Sequence, residues 1–115
     1  MIKTKPTGPI PSGYGTIDGE LAIGGVKAST LVAEHGSPLF VYSKSCLETR
    51  MAELRAAMPD RLDIHFAMKA NPFQPVLRHM IALADGTDIA SGGELKMAID
   101  GGADAEKISF AGPGK

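Results

Sequence analysis

Apolar residues recur along this chain with two periods. Leu62, Ile64, Phe66 and Met68 alternate with Asp63, His65, Ala67 and Lys69, the period of two expected of a strand. Leu39-Phe40-Val41-Tyr42 is a shorter apolar run that suits a buried strand, and further strands are predicted over about Thr87 to Ala90 and Lys107 to Ala111. Between them the period lengthens. Leu47, Met51, Leu54 and Met58 recur at helical intervals behind a Ser45/Glu48 pair with capping-box spacing, and Pro59 stops the run. Val76, Leu77, Met80, Ile81, Leu83 and Ala84 predict a second amphipathic helix with Pro75 near its start. Glu94 to Asp100 predicts a third, with Leu95, Ala98 and Ile99 inward and Gly101-Gly102 at its end.

The resulting order is βαβαβαβ, with strand starts roughly 20 to 25 residues apart, as parallel strands joined by helical crossovers require. The expected fold class is therefore α/β, built of parallel βα repeats. Ahead of this region, proline and glycine are frequent from Met1 to Gly15, which predicts an irregular arm with Tyr14 as its anchor. A short strand pair is expected around Gly24-Gly25, and a short helix from Ala28 to Glu34 ends at His35-Gly36.

Composition narrows the function classes. At 43% hydrophobic and 22% charged residues, the chain has an ordinary globular balance. A formal net charge of −1 gives no reason to expect nucleic acid or an anionic membrane as partner. The single cysteine, Cys46, allows no internal disulfide and fits a cytoplasmic location, as a small apolar residue of the helix. One cysteine and three scattered histidines make no metal-ligand spacing. Gly112-Pro113-Gly114-Lys115 lacks the first glycine of a phosphate-binding loop, because Ser109 stands there.

The chemistry is concentrated at Lys69. It ends a strand, and the following Ala70-Asn71-Pro72 breaks it, since proline removes a backbone donor and restrains the residue before it. The carboxyl end of a strand is where ligands bind in open α/β sheets and in (β/α)8 barrels. Asp88 has the parity of the same face one strand over, where a carboxylate can hold an amine through a charge-assisted hydrogen bond. Ala67 is small, His65 lies deeper on the same face, and Ser91 and Glu94 follow Asp88 at the start of the next helix.

His65-Phe66-Ala67-Met68-Lys69-Ala70-Asn71-Pro72 resembles the cofactor-lysine motif of the fold-type III, pyridoxal-phosphate-dependent amino-acid decarboxylases, the group of diaminopimelate and ornithine decarboxylases. Asp88-Ile89-Ala90-Ser91-Gly92-Gly93-Glu94-Leu95 and Ile108-Ser109-Phe110-Ala111-Gly112-Pro113-Gly114-Lys115 match in the same order. The resemblance covers roughly Gly24 to the last residue and is nearest to a branch associated with exosortase and exopolysaccharide loci. It implies pyridoxal 5'-phosphate as cofactor, held as a Schiff base on Lys69. Ala67 and Asp88 would then be cofactor-binding, with Ser91, Glu94 and His65 behind them. It also implies an amino-acid substrate and a homodimer with shared active sites.

A complete barrel of this type takes about 250 residues, so the expected architecture is the first half of a (β/α)8 barrel over residues 37–115. Residues 1–36 would supply an arm and part of a β-rich domain. The chain then reads as an incomplete enzyme, an amino-terminal fragment. The family's phosphate-gripping glycine loop, the acid that meets the pyridine nitrogen, the histidine that stacks on the ring and the cysteine-bearing substrate segment are not in this sequence. Two other readings stand beside decarboxylation: a racemase or other cofactor-binding protein of the same fold, and a non-catalytic half-barrel that associates with other chains through exposed strand edges.

Overall fold

The computed structural model describes residues 8–112, which divide into two compact units at Cys46/Leu47. The ends of the first and last expected segments, residues 1–7 and 113–115, lie outside the described residues.

In the first unit, β1 (Gly15–Ile17), β2 (Glu20–Ile23) and β3 (Val26–Lys27) form an antiparallel meander in the order β1-β2-β3. The register pairs Ile17 with Glu20 and Ile23 with Val26, so two residues make each turn. Asp18-Gly19 and Gly24-Gly25 all have positive φ, the conformation a two-residue hairpin needs to match strand twist. The Gly24-Gly25 pair was legible from the sequence; β1 is an additional strand. Helix α1 (Ala28–His35) follows directly, and Gly36 at φ 83° closes it with its N–H on the Val32 carbonyl. Cys46 is half-buried, and its thiol donates to the Gly13 carbonyl at 3.4 Å.

The strand expected at Leu39–Tyr42 does not form. Neither three-stranded sheet includes this segment, Phe40 is 85% exposed and Tyr42 50%. Apolar content alone does not make a strand: the backbone needs a hydrogen-bonded neighbour, and among the described residues none pairs with it. Helix α2 (Lys44–Ala57) begins two residues earlier than expected. Ser43, which is buried, accepts the Cys46 N–H, while Ser45 only meets the Ser43 hydroxyl, and Glu48 faces His79 at 3.3 Å. The Ser45/Glu48 capping box is therefore replaced by a Ser43 cap.

The second unit is α/β with parallel strands. After α2 come β4 (His65–Ala67), a 3-10 turn at Met68–Ala70, α3 (Gln74–Leu83), β5 (Gly86–Ile89), α4 (Gly92–Asp100), a 3-10 turn at Ala105–Lys107 and β6 (Ile108–Phe110). The sheet runs β4-β5-β6, parallel throughout. Its helix-facing side carries Phe66, Ile108 and Phe110, packed on a buried cluster of Met68, Leu77, Ile89 and Ala98. A second cluster joins Met51 of α2 to Val76 and Met80 of α3. The methionines serve as adaptable filler.

Helix α4 departs from its predicted orientation. Ala98 is fully buried, but Leu95 and Ile99 are 42% and 45% exposed, and Met97 packs against the core in their place. Gln74 reaches the Met97 carbonyl at 3.3 Å, so α3 covers the Met97/Ala98 side and leaves Leu95 and Ile99 on the open one. A further tie was unforeseen. Arg55 of α2 grips both oxygens of Asp85 at 2.8 and 3.0 Å and the Leu83 carbonyl at 3.0 Å. Asp85 also accepts the Ile64 N–H at 2.7 Å, so one carboxylate links α2, the entrance to β4 and the entrance to β5. The Arg55 hydrogen bond is the main reason the Asp85 carboxyl sits below its ordinary range, and Asp85 in turn raises Arg55.

Candidate functional site

The side of the sheet away from the helices is small and polar. Parallel pairing sets Ala67 beside Asp88 and Asp88 beside Ser109, so three strands contribute one residue each to a single row. The row beneath pairs His65 with Gly86. Ser109 donates to Asp88 Oδ1 at 2.8 Å, and its oxygen lies 3.0 Å from His65 Nδ1. His65 can reach Ser109, two strands away, only because Gly86 between them has no side chain. A Cβ at Gly86 would fall 2.5 Å from the ring nitrogen Nε2 and 2.5 Å from the Lys107 carbonyl.

Lys69 follows β4 in the 3-10 turn rather than ending the strand itself. The turn is anchored by Met68, which is fully buried, and closed by the Asn71 N–H on the Met68 carbonyl at 3.1 Å. Lys69 is exposed, and it makes no hydrogen bond or ion pair with any of the described residues. What the structure supplies is an unengaged primary amine immediately past the carboxyl end of β4.

Ser91 and Glu94 shape the loop beyond β5. Ser91 caps α4 by accepting the Glu94 N–H at 3.1 Å, and Glu94 Oε2 accepts the Ala90 N–H at 2.6 Å. Both side chains are spent on backbone donors that the strand-to-helix turn would otherwise leave unpaired. The end of β6 closes against the same turn: Ala111 N–H bonds the Ile89 carbonyl at 2.9 Å, and a Cβ at Gly112 would stand 2.8 Å from the Ala90 carbonyl. Glycine there permits the two strand ends to approach.

Two members of this constellation, Ser109 and Gly86, escaped the sequence reading. Ser109 shared Asp88's parity within an otherwise apolar strand, which was the available signal. Along the outer edge of β4, a groove of about 250 Å³ is lined by Leu47, Met51 and Leu54 of α2 and by Ile64, Phe66 and Ala67. Among the described residues no group of three or more histidine, cysteine or acidic side chains is gathered to hold a metal ion, and no helix is long and apolar enough to cross a membrane.

Comparison with known proteins shows the family of the chain. The family model described as "Pyridoxal-dependent decarboxylase, pyridoxal binding domain" matches residues 44–115. The diaminopimelate decarboxylase of Aquifex aeolicus (strain VF5) is 46% identical over 99 residues, covering 85% of this chain and 23% of the relative. That of Pseudomonas fluorescens is 39% identical over 100 residues, covering 84% and 24%. Among solved structures, an Aquifex aeolicus protein superposes with a TM-score of 0.80 at 38% identity, over 90% of this chain and 26% of the other. The M. jannaschii diaminopimelate decarboxylase in complex with L-lysine gives 0.73 at 27% identity, over 88% and 25%. The chain spans about a quarter of the length of these relatives. An amine past one strand, a carboxylate on the next and a family model running through both lead to one conclusion: the chain belongs to the pyridoxal-dependent decarboxylases and carries part of their pyridoxal binding domain.

Proposed function

We propose that this chain contributes the cofactor lysine to an enzyme that decarboxylates an amino acid of the diaminopimelate or ornithine kind. One observation carries the reading: Lys69 leaves β4 exposed and unpaired among the described residues, beside a strand that presents Asp88 on the polar face. Pyridoxal 5'-phosphate fits these residues. The amine is free to condense with an aldehyde, Ala67 leaves a shallow floor, and Asp88 is an anchored acceptor with one oxygen engaged by Ser109.

When bound, the cofactor supplies an aldehyde and an electron-withdrawing ring that absorbs the charge left as carbon dioxide departs. The rest is work for the chain. Lys69 would hold the cofactor through its amine and, once the substrate is bound, would be placed to give or take a proton at the substrate's α-carbon. Asp88 would accept a hydrogen bond from the amine or from the cofactor. Ser91 and Glu94 hold the loop after β5 in shape.

The relative solved with L-lysine supports a substrate class that bears a second amine. Residues 37–115 would form the first half of a (β/α)8 barrel, residues 1–36 an arm and part of a β-rich domain, and the active enzyme a cytoplasmic homodimer. Groups gripping the phosphate and the pyridine nitrogen would come from outside these 115 residues. The motif wording supports the exosortase-associated branch.

The test is to add pyridoxal phosphate and record the absorbance band of lysine-bound cofactor near the visible edge, then follow carbon dioxide release from diaminopimelate and ornithine. Lys69→Ala is expected to abolish the band; a band that survives the substitution refutes the assignment of Lys69. A band without carbon dioxide release, but with loss of optical activity in an amino acid, would shift the reaction to racemisation.

A further inference from the structure

We propose that Ser109 is a positioning residue: it links His65 to Asp88 in a hydrogen-bond chain of fixed direction that sets the carboxylate for the cofactor lysine. The direction follows from counting protons. A serine hydroxyl has one proton to donate and lone pairs to accept with, whereas a carboxylate only accepts. The Ser109 proton therefore goes to Asp88 Oδ1, 2.8 Å away. His65 Nδ1, 3.0 Å from the same oxygen, must then be the donor. His65 is consequently the Nδ1–H tautomer when neutral, with Nε2 bare.

Geometry makes this arrangement specific. The His65 ring spans the Gly86 position, with Nε2 lying 2.5 Å from where a Cβ would be, so the ring is seated over bare backbone. Ser109 stands in register with Asp88 on the neighbouring strand, so its hydroxyl approaches from the side rather than from above. Among the described residues, Asp88 Oδ2 receives no hydrogen bond. Holding Oδ1 thus fixes the plane of the carboxylate and presents Oδ2 to an incoming donor. That the donor is the Lys69 amine or the cofactor rests on the function proposed above; the chain of hydrogen bonds does not.

The two parts are tested separately. The chain is labelled with 15N-histidine and the imidazole nitrogens are read by NMR at mildly alkaline pH without cofactor, His65→Gln serving to assign the signal among the three histidines. Wild-type His65 is expected to carry its proton on Nδ1. Ser109→Ala is expected to return it to the Nε2–H form that a solvated imidazole prefers, and Ser109→Thr to keep the wild-type pattern. A wild-type Nε2–H signal, or one unchanged in Ser109→Ala, overturns the hydrogen-bond chain while leaving Lys69 untouched. Pyridoxal phosphate titration then reads the positioning. Loss of one charge-assisted hydrogen bond predicts roughly tenfold weaker binding in Ser109→Ala, restored in Ser109→Thr. Equal binding in wild type and Ser109→Ala overturns the positioning role. No adduct in the wild type would instead fail the proposed function, with the tautomer still standing as measured.

Discussion

Gly86 offers a sharp perturbation, because its role is purely steric and its two neighbours differ in how they can yield. Its φ is not in the left-handed region, so Gly86→Ala introduces no backbone strain of its own. The added methyl would meet His65 Nε2 and the Lys107 carbonyl oxygen, each at 2.5 Å, well below the 3.0 Å that Cβ contacts respect. The histidine is a side chain and can swing away. Doing so forfeits its bond to Ser109, worth about 0.5–1.5 kcal/mol. The Lys107 carbonyl is backbone at the entrance to β6, and moving it disturbs the ladder between β5 and β6 that carries Thr87↔Ile108 and Asp88↔Ser109.

Overpacking at such a point costs about 1–3 kcal/mol, and the same substitution is expected to release His65 from its Nδ1–H form. Urea denaturation followed by far-ultraviolet circular dichroism measures the first, histidine NMR the second. Gly93→Ala is the matched control. Gly93 lies in the first turn of α4 with only the Ser91 hydroxyl oxygen near, at 3.8 Å. There alanine should stabilise by about 0.4–1 kcal/mol. If Gly86→Ala proves as stable as the parent, the close approach of β4, β5 and β6 described here is refuted.

Two further outcomes follow from packing and charge. Leu77 is fully buried at the centre of the Met68/Ile89/Ala98 cluster, so Leu77→Ala should lower stability by about 2–5 kcal/mol in the same denaturation experiment. Asp85 has its folded-state pKa lowered, chiefly by Arg55; its contribution is therefore complete above the ordinary carboxylate pKa of about 3.9 and is lost as pH falls through the lower folded value. Asp85→Asn should weaken the protein at neutral pH and flatten the acid side of its stability profile; an unchanged acid slope would show that the Arg55–Asp85 tie contributes nothing.

Where sequence and structure agree, the reason is alternation. Phe66 and Met68 against Ala67, and Thr87 and Ile89 against Asp88, set which residues face the helices before any coordinates exist, because side chains on a strand have only two directions. Where they part, the missing information is tertiary. Leu39–Tyr42 has a strand's composition but no ladder partner among the described residues. Leu95 and Ile99 fit a helical stripe, yet α3 covers only the Met97/Ala98 side. Ser43 outcompetes Ser45 as cap although Ser45 has the textual signature, since the helix starts two residues earlier. Arg55 and Asp85 lie 30 positions apart, and nothing local announces that they meet.

The two faces of the β4-β5-β6 sheet also explain how an exposed lysine can be a defined feature. Phe66, Met68 and Ile89 bury apolar surface on one side, and the free energy of that packing fixes the strand ends. Met68 is the last residue so held, and the turn it anchors is closed by its own carbonyl on the Asn71 N–H. Lys69 is therefore held at its point of attachment, while its amine has no partner among the described residues. On the opposite face Ala67 and Gly86 contribute no bulk, so the hydrogen bonds joining His65, Ser109 and Asp88, rather than hydrophobic contact, hold the polar groups in place. The role proposed for Lys69 needs that division: a backbone anchored through Met68, an amine unpaired among the described residues, and an anchored carboxylate on the strand beside it.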